Sequence, residues 1–277
     1  MTTHPSVALY LDLMAKVITR YGFEGHHVTV MPDLQSYDYY LWELLQQAMP
    51  DRDIRLVKTG EFRADLREVG QDWPVDAESM VGLKRLANIR FCVEQALSDG
   101  VPGDVIETGV WRGGSCIYMR AVLKAHGVSD RTVWVADSFQ GLPAPSGEHV
   151  ADVGSDFHKY DELAISVEQV KDNFRRYDLL DDQVRFIEGW FADTLADAPI
   201  EQLAVLRLDG DMYSSTVEAL DALYHKLSPG GFVIVDDYGA VPACAKAVHD
   251  FRDKHGITDP IEIVDWTGAF WRKGAPS

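Results

Sequence analysis

The sequence predicts an α/β fold with a seven-stranded, mostly parallel sheet, helices on both faces and an N-terminal helical cap. Three observations carry this. From about residue 104, short Val- and Ile-rich runs alternate with longer amphipathic segments. The last two runs are separated only by Thr267-Gly268. The first hundred residues hold helical patterns without that beat. Runs apolar throughout read as strands buried on both faces. Strands alternating with helices predict parallel pairing and right-handed crossovers. A link as short as Thr267-Gly268 permits only an antiparallel hairpin.

Taken in order, HPSVALYLDLMAKVITRYG, YDYYLWELLQQAM and ESMVGLKRLANIRFCVEQALSDG have helical apolar spacing, whereas DRDIRLVKTGEFRADLREVGQDWPVD between them is polar and irregular. Residues 1–100 therefore read as a helical cap with a mobile loop, and 101–277 as the main domain. The strands are DVIETGV, VWVADSF, VRFIEGW, VLRLDGD, FVIVDDY, IEIVDW and AFWRK. The intervening helices are SCIYMRAVLKAHG, DELAISVEQVKDNFRRYDL, SSTVEALDALYHKL and PACAKAVHDFRDKHG, and Gly127 and Gly256 read as helix stops. Ser228–Gly231, SPGG, reads as a turn ahead of the fifth strand. A parallel sheet closed by an antiparallel pair is the arrangement typical of class I, Rossmann-like methyltransferases.

Composition narrows the function classes. The chain has 277 residues and a formal net charge of -18. Such an acidic surface repels phosphate backbones and anionic lipid, so neither nucleic acid nor a membrane is expected as a partner. No apolar stretch approaches the roughly 18 residues of a membrane helix, and MTTHPSVALY carries no signal-peptide pattern. Cys92, Cys116 and Cys244 are scattered, form no zinc or disulfide spacing, and fit a reducing cytoplasm.

The segment from Glu107 to Ser115, ETGVWRGGS, follows a strand and opens a helix. Glycines such as Gly109 let the backbone turn tightly and approach a ligand, and ligands of open parallel sheets bind beyond the carboxyl ends of the strands. Asp137, followed by Ser138, ends the second strand, where an acid can accept hydrogen bonds from both ribose hydroxyls of a nucleoside. Glu107 discriminates between cofactors: it would repel a pyrophosphate but suits the amine and sulfonium of S-adenosylmethionine. The spacing also departs from the dinucleotide fingerprint. Gly189-Trp190, ending the third strand, is positioned to cover an adenine; the alternative is a strand end with core aromatics.

The strongest chemical signal is the coincidence of two strand ends. VLRLDGD finishes on Asp209 and Asp211, and FVIVDDY on Asp236 and Asp237. Parallel strands bring these ends side by side. Clustered carboxylates repel one another unless a cation lies between them. All-oxygen ligands suit a hard ion, Mg²⁺ first, with Mn²⁺ or Ca²⁺ as alternatives. Two residues apart on a continuing strand, Asp209 and Asp211 would point to one side, so one could bind metal and the other face a substrate hydroxyl as general base. Some of these acids could instead cap the following helices. His149 and His158, in a stretch that could cover the site, are alternative bases.

At these residues the sequence resembles the macrocin O-methyltransferase family, which includes the enzyme that methylates the noviose sugar of novobiocin. The features are IETGVWRGGS, VADSFQGLP, IEGWFADTL, LRLDGDMYSST and SPGGFVIVDDYG, preceded by ESMVGLKRLANIRFCVE. They span the chain from about Asp72 onward. The resemblance implies Mg²⁺-dependent methyl transfer from S-adenosyl-L-methionine to a sugar hydroxyl, usually on a glycosylated natural product. By position it makes Asp209, Asp236 and Asp237 the metal ligands and Asp211 the general base. Glu107, Ser115 and Asp137 would hold the cofactor, with Met80 and Val81 approaching it from the N-terminal segment. It also implies a homodimer.

A catechol-type acceptor is the main alternative, with Tyr37, Tyr39, Tyr40 and Trp42 as candidates for a flat pocket. A dinucleotide oxidoreductase is disfavoured by Glu107, and a catalytically silent scaffold by the cost of keeping four clustered acids.

Overall fold

The computed structural model describes residues 4–23, 27–29, 37–49, 57–59, 62–74 and 76–274. The helices are α1 (Pro5–Ile18), α2 (Tyr37–Ala48), α3 (Ala64–Glu68), α4 (Gly82–Ser98), α5 (Gly114–Ala125), α6 (Val167–Arg176), α7 (Phe191–Thr194), α8 (Tyr213–Leu223) and α9 (Pro242–His255). The strands are β1 (His27–Thr29), β2 (Val57–Thr59), β3 (Asp104–Thr108), β4 (Val133–Asp137), β5 (Val184–Glu188), β6 (Leu203–Leu208), β7 (Leu227–Val235), β8 (Glu262–Ile263) and β9 (Ala269–Arg272).

The seven strands β3 to β9 form one sheet in the order β5-β4-β3-β6-β7-β9-β8. The first five pair in parallel, and β9 runs antiparallel to both β7 and β8. The chain winds outward from β3 to β5, then returns to β6 beside β3. Such a reversal opens a crevice at the carboxyl ends of the two central strands.

Alternating side chains feed two cores. Val105, Val133, Val135, Phe232 and Ile234 face one layer with α1, α4, α5 and α6. Ile106, Trp134, Leu206, Val233 and Val235 face the other with α8 and α9. This two-sided burial is why these strands read as continuous apolar runs. Helices α1 and α4 of the N-terminal region pack on α5 within the first core.

Several local features depart from the sequence reading. Ser228–Gly231 lies inside β7, not ahead of it: Leu227 pairs with Leu203 and Phe232 with Val205, so the intervening residues bulge out of register, with Gly230 at φ +82°. The long DELAISVEQ pattern makes a 3-10 turn at Asp161–Leu163 and becomes α-helical only at Val167, where the Ser166 side chain accepts from the Gln169 amide and caps the helix. The polar segment after α2 contains the short helix α3, and its Val57–Thr59 pairs antiparallel with His27–Thr29. Residues 50–56, 60, 61 and 75 of that segment lie outside the described ones, as do the side chains of Tyr37 and Tyr39.

Candidate active site

A cavity of about 750 Å³ opens at the carboxyl ends of β3 and β6. Into it converge Glu107, Gly109, Ser115, Asp137, Ser138, Trp190, Met80 and Val81, together with Asp209, Asp211, Asp236 and Asp237. Gly189 does not line it; at φ +138° it turns the chain so that Trp190 does. His149 and His158 do not reach the cavity either. The His149 ring packs on Tyr213 at 5.1 Å, and His158 is exposed. Tyr40 and Trp42 are not among its walls.

The glycine turn is dictated by crowding. Gly109 stands at φ +88°, and a Cβ there would fall 1.9 Å from the Asp209 carbonyl oxygen. Gly114, the first residue of α5, sits so close to the Glu78 carbonyl that a Cβ would come within 2.4 Å of it. These contacts bring the ends of β3 and β6 and the segment at Glu78–Val81 against the cavity. The Asp137 carboxylate accepts from the Val110 and Phe139 amides, both at 2.7 Å, which locks the tip of β4 to the turn. Burial raises its pKa above the usual range against those bonds.

Beneath the carboxylates lies a cation that the sequence reading did not single out. Arg207, fully buried on β6, donates to Glu107, to Asp209 at 2.6 Å, and to Asp236. Arg85 on α4, also buried, donates to Asp236 and to Asp265 at 3.2 Å. Two guanidiniums thus serve Glu107, Asp209 and Asp236, while among the described residues none pairs with Asp211 or Asp237. The signal for Arg207 was present: a charge inside a strand buried on both faces must be paired. Arg85 sits in an ordinary helical pattern and gave no such signal.

The electrostatics follow. Burial pushes Asp211 up to about 8, with Asp209 and Asp236 adding to the rise. Burial, then the charges of Asp211, Asp209 and Asp236, hold Asp237 well above the carboxylate range. Burial pushes Glu107 up to about 7 against the pull of Arg207. Oxygens of Asp209, Asp236 and Asp237 lie within 4.8 Å of one another. A compact, all-oxygen set with more negative charge than its arginines neutralise fits a hard divalent cation.

Asp211 does not continue the strand. β6 ends at Leu208, and Asp211 takes a left-handed φ of +55° as the chain turns into α8. The alternation expected for Asp209 and Asp211 therefore lapses. The Asp211 amide points at Asp237 Oδ2, 3.3 Å away. Glu218 on α8, half-buried, is a further acid in the wall, and nothing in its helical pattern marks it as one.

Comparison with known proteins gives a consistent picture. The family model described as Macrocin-O-methyltransferase (TylF) matches residues 7–273. The chain is 52% identical over 271 residues to the 8-demethyl-8-(2,3-dimethoxy-alpha-L-rhamnosyl)-tetracenomycin-C 4'-O-methyltransferase of Streptomyces olivaceus, covering 97% of this chain and 94% of that one. It is 47% identical over 280 residues to the mycinamicin III 3''-O-methyltransferase of Micromonospora griseorubida, covering 99% and 100%. Among solved structures, that of the O-methyltransferase NovP superposes with a TM-score of 0.83 at 46% identity, covering 97% of this chain and all of that one (100%). The fold is the class I, Rossmann-like methyltransferase fold that the strand pattern predicts.

Proposed function

The chain belongs to the macrocin O-methyltransferase family, and from that premise we propose that it transfers the methyl group of S-adenosylmethionine to a sugar hydroxyl on a glycosylated natural product, assisted by Mg²⁺ at Asp209, Asp236 and Asp237. One observation carries the reading: the glycine turn with Asp137 and the carboxylates of β6 and β7 open into the same cavity. Cofactor and acceptor could therefore meet there.

Each residue then has a task. Asp137 accepts from the ribose, using lone pairs not taken by the Val110 and Phe139 amides. Met80, Val81, Gly109, Ser115 and Ser138 shape the cofactor wall, and Trp190, aimed by Gly189, covers the base. Glu107 has one oxygen on Arg207 and the other on the Cys116 thiol, 2.8 Å away. It acts mainly by anchoring Arg207 and by setting a negative field opposite a sulfonium. S-Adenosylmethionine supplies the electrophilic methyl carbon. A bound divalent cation would lower the pKa of an acceptor hydroxyl and fix its position. Asp211 takes the hydroxyl proton; burial and its neighbours push it up to about 8, and a cation held at the cluster would favour its ionised, proton-accepting form. Much of the acceleration would come from orientation inside the cavity.

The same reading includes a division near residue 100 between the cap and the catalytic domain, although α1 and α4 share a core with α5. It includes a homodimer, supported by exposed apolar faces at Leu9 and Leu13 of α1 and at Leu41, Leu44 and Leu45 of α2. It also includes a cytoplasmic setting, supported by three buried free thiols. Among the described residues no helix is long and apolar enough to cross a membrane.

The test is calorimetric binding of S-adenosylhomocysteine, followed by methyl transfer to deoxysugar glycosides, simple mannosides and catechols, with Mg²⁺ and with EDTA. Turnover on a glycoside, abolished by EDTA, is the expected result. Turnover only on catechols would replace the acceptor class, EDTA-insensitive turnover would remove the metal, and absence of cofactor binding would sink the reading.

A further inference from the structure

Asp152 lies in the segment between β4 and α6, far in sequence from Asp209, Asp211, Asp236 and Asp237, yet only 4% of its surface is exposed. Its two carboxylate oxygens accept from two successive backbone amides: Tyr213 at 2.7 Å and Ser214 at 3.0 Å. These are the first two donors of α8. The residue that would ordinarily cap them, Met212, offers no side-chain acceptor. Asp152 therefore caps α8 in trans, from 61 residues away. The geometry is favourable twice over, because a carboxylate at a helix N-terminus also meets the positive end of the helix dipole.

The capped amides sit immediately after the turn that carries Asp211. That turn is tight: Asp211 is left-handed, and the Met212 amide reaches back to the Gly210 carbonyl at 2.5 Å. A non-glycine residue in this conformation needs its surroundings to hold it. On the far side, the segment bearing Asp152 runs on to Phe157 and Leu163, which line the cavity. Asp152 is itself held in place by its own amide on the His149 carbonyl at 3.0 Å and by its carbonyl accepting from Ser155 at 3.0 Å.

We propose that Asp152 is a positioning residue for Asp211, fixing the start of α8 and tying the cavity wall at Phe157–Leu163 to the turn that holds the base. The kinetic part of this rests on the methyltransferase reading above. Asp152 touches no reacting atom; it acts through the backbone of Tyr213 and Ser214.

The experiment compares wild type with Asp152→Ala and Asp152→Asn in the full chain, well below the melting temperature of each. Amide hydrogen exchange at Tyr213 and Ser214 reads the cap directly. It should accelerate roughly tenfold in Asp152→Ala, as for the loss of one capping interaction, and less in Asp152→Asn, which keeps one acceptor oxygen. Calorimetry should give an S-adenosylhomocysteine Kd within about twofold of wild type in both. Turnover should split from binding: kcat falls by about 10²-fold in Asp152→Ala, the scale of a small misplacement of a reacting group, and Asp152→Asn recovers most of it. Faster exchange with kcat unchanged would reduce Asp152 to a structural cap and overturn the positioning role. Unchanged exchange would overturn the cap itself. If wild type neither binds S-adenosylhomocysteine nor transfers methyl while exchange still accelerates in Asp152→Ala, the methyltransferase reading falls and takes the positioning role with it, leaving the cap.

Discussion

Arg207 stands in register opposite Glu107 on the neighbouring parallel strand and donates to its carboxylate. The pair sits on the same sheet face as Asp209 and Asp236, so one buried guanidinium underlies three acids from three adjacent strands. Taking these charges out of water is expensive, and their mutual attraction offsets that only while all partners are present.

Replacing Arg207 by Leu should therefore destabilise the protein by about 3–5 kcal/mol, the usual cost of leaving buried charges unpaired. Arg207→Lys should recover only part of this, because a compact ammonium cannot fork toward three carboxylates. Urea unfolding measures both. A loss within experimental error for Arg207→Leu would mean that the acids are already neutral in the folded state.

The strand ends were legible in the sequence because parallel pairing follows from the strand–helix beat. Once Asp209 and Asp236 end adjacent strands, their meeting is geometry. What closes the site was less legible. Arg85 reaches Asp236 and Asp265 from 151 and 180 residues away, and nothing in the text of a helix announces a partner so distant. Asp152 lies in a polar stretch with no periodicity, and only the tertiary fold delivers it to α8. Val57–Thr59 was hidden because a three-residue strand is too short to establish a period.

Gly109→Ala tests the crowding of the two central strand ends. The new Cβ would overlap the Asp209 carbonyl oxygen, and the φ of +88° is unfavourable for any side chain. The backbone conformation alone should cost about 1–3 kcal/mol, with the clash added to it. Affinity for S-adenosylhomocysteine should fall together with stability. A variant that keeps wild-type affinity would show that the turn does not touch the cofactor.

The raised acids make stability depend on pH in a defined direction. Asp211 is pushed up to about 8 and Glu107 up to about 7, both above the unfolded carboxylate range. Between the unfolded and folded values the native state binds more protons than the unfolded chain. Stability then falls as pH rises. In EDTA, the urea midpoint should decline as pH rises from about 5 through 8. Mg²⁺ favours the ionised acids, so in its presence the decline should flatten. Parallel profiles with and without Mg²⁺ would argue against a cation at the cluster.

Asp237→Asn separates the metal from the fold. Among the described residues Asp237 has no arginine partner, and it accepts from the Asp211 amide. Asparagine cannot ionise where burial and the neighbouring acids oppose ionisation, so the variant in EDTA should melt no lower than wild type. It also removes one donor of the triplet with Asp209 and Asp236. Mg²⁺ should raise the melting temperature of wild type and raise that of the variant far less. Equal responses would exclude Asp237 as a ligand.

Asp211→Asn should be an enzyme that is more stable and nearly inactive. The substitution keeps size and shape, and Asn tolerates the left-handed φ of +55° at least as well as Asp. It removes a charge that burial and the neighbouring acids Asp209 and Asp236 oppose, so unfolding in EDTA near pH 8 should move to higher urea. An amide cannot accept the acceptor hydroxyl's proton, so kcat should fall by about 10²–10⁴-fold. Cofactor affinity should be unchanged, because Asp211 belongs to the acceptor side of the cavity in this reading. Opposite signs for stability and turnover are the mark of a residue held in place against its own electrostatics for a chemical purpose. If Asp211→Asn is both destabilised and fully active, the base must be another cavity acid, with Glu218 the first to examine.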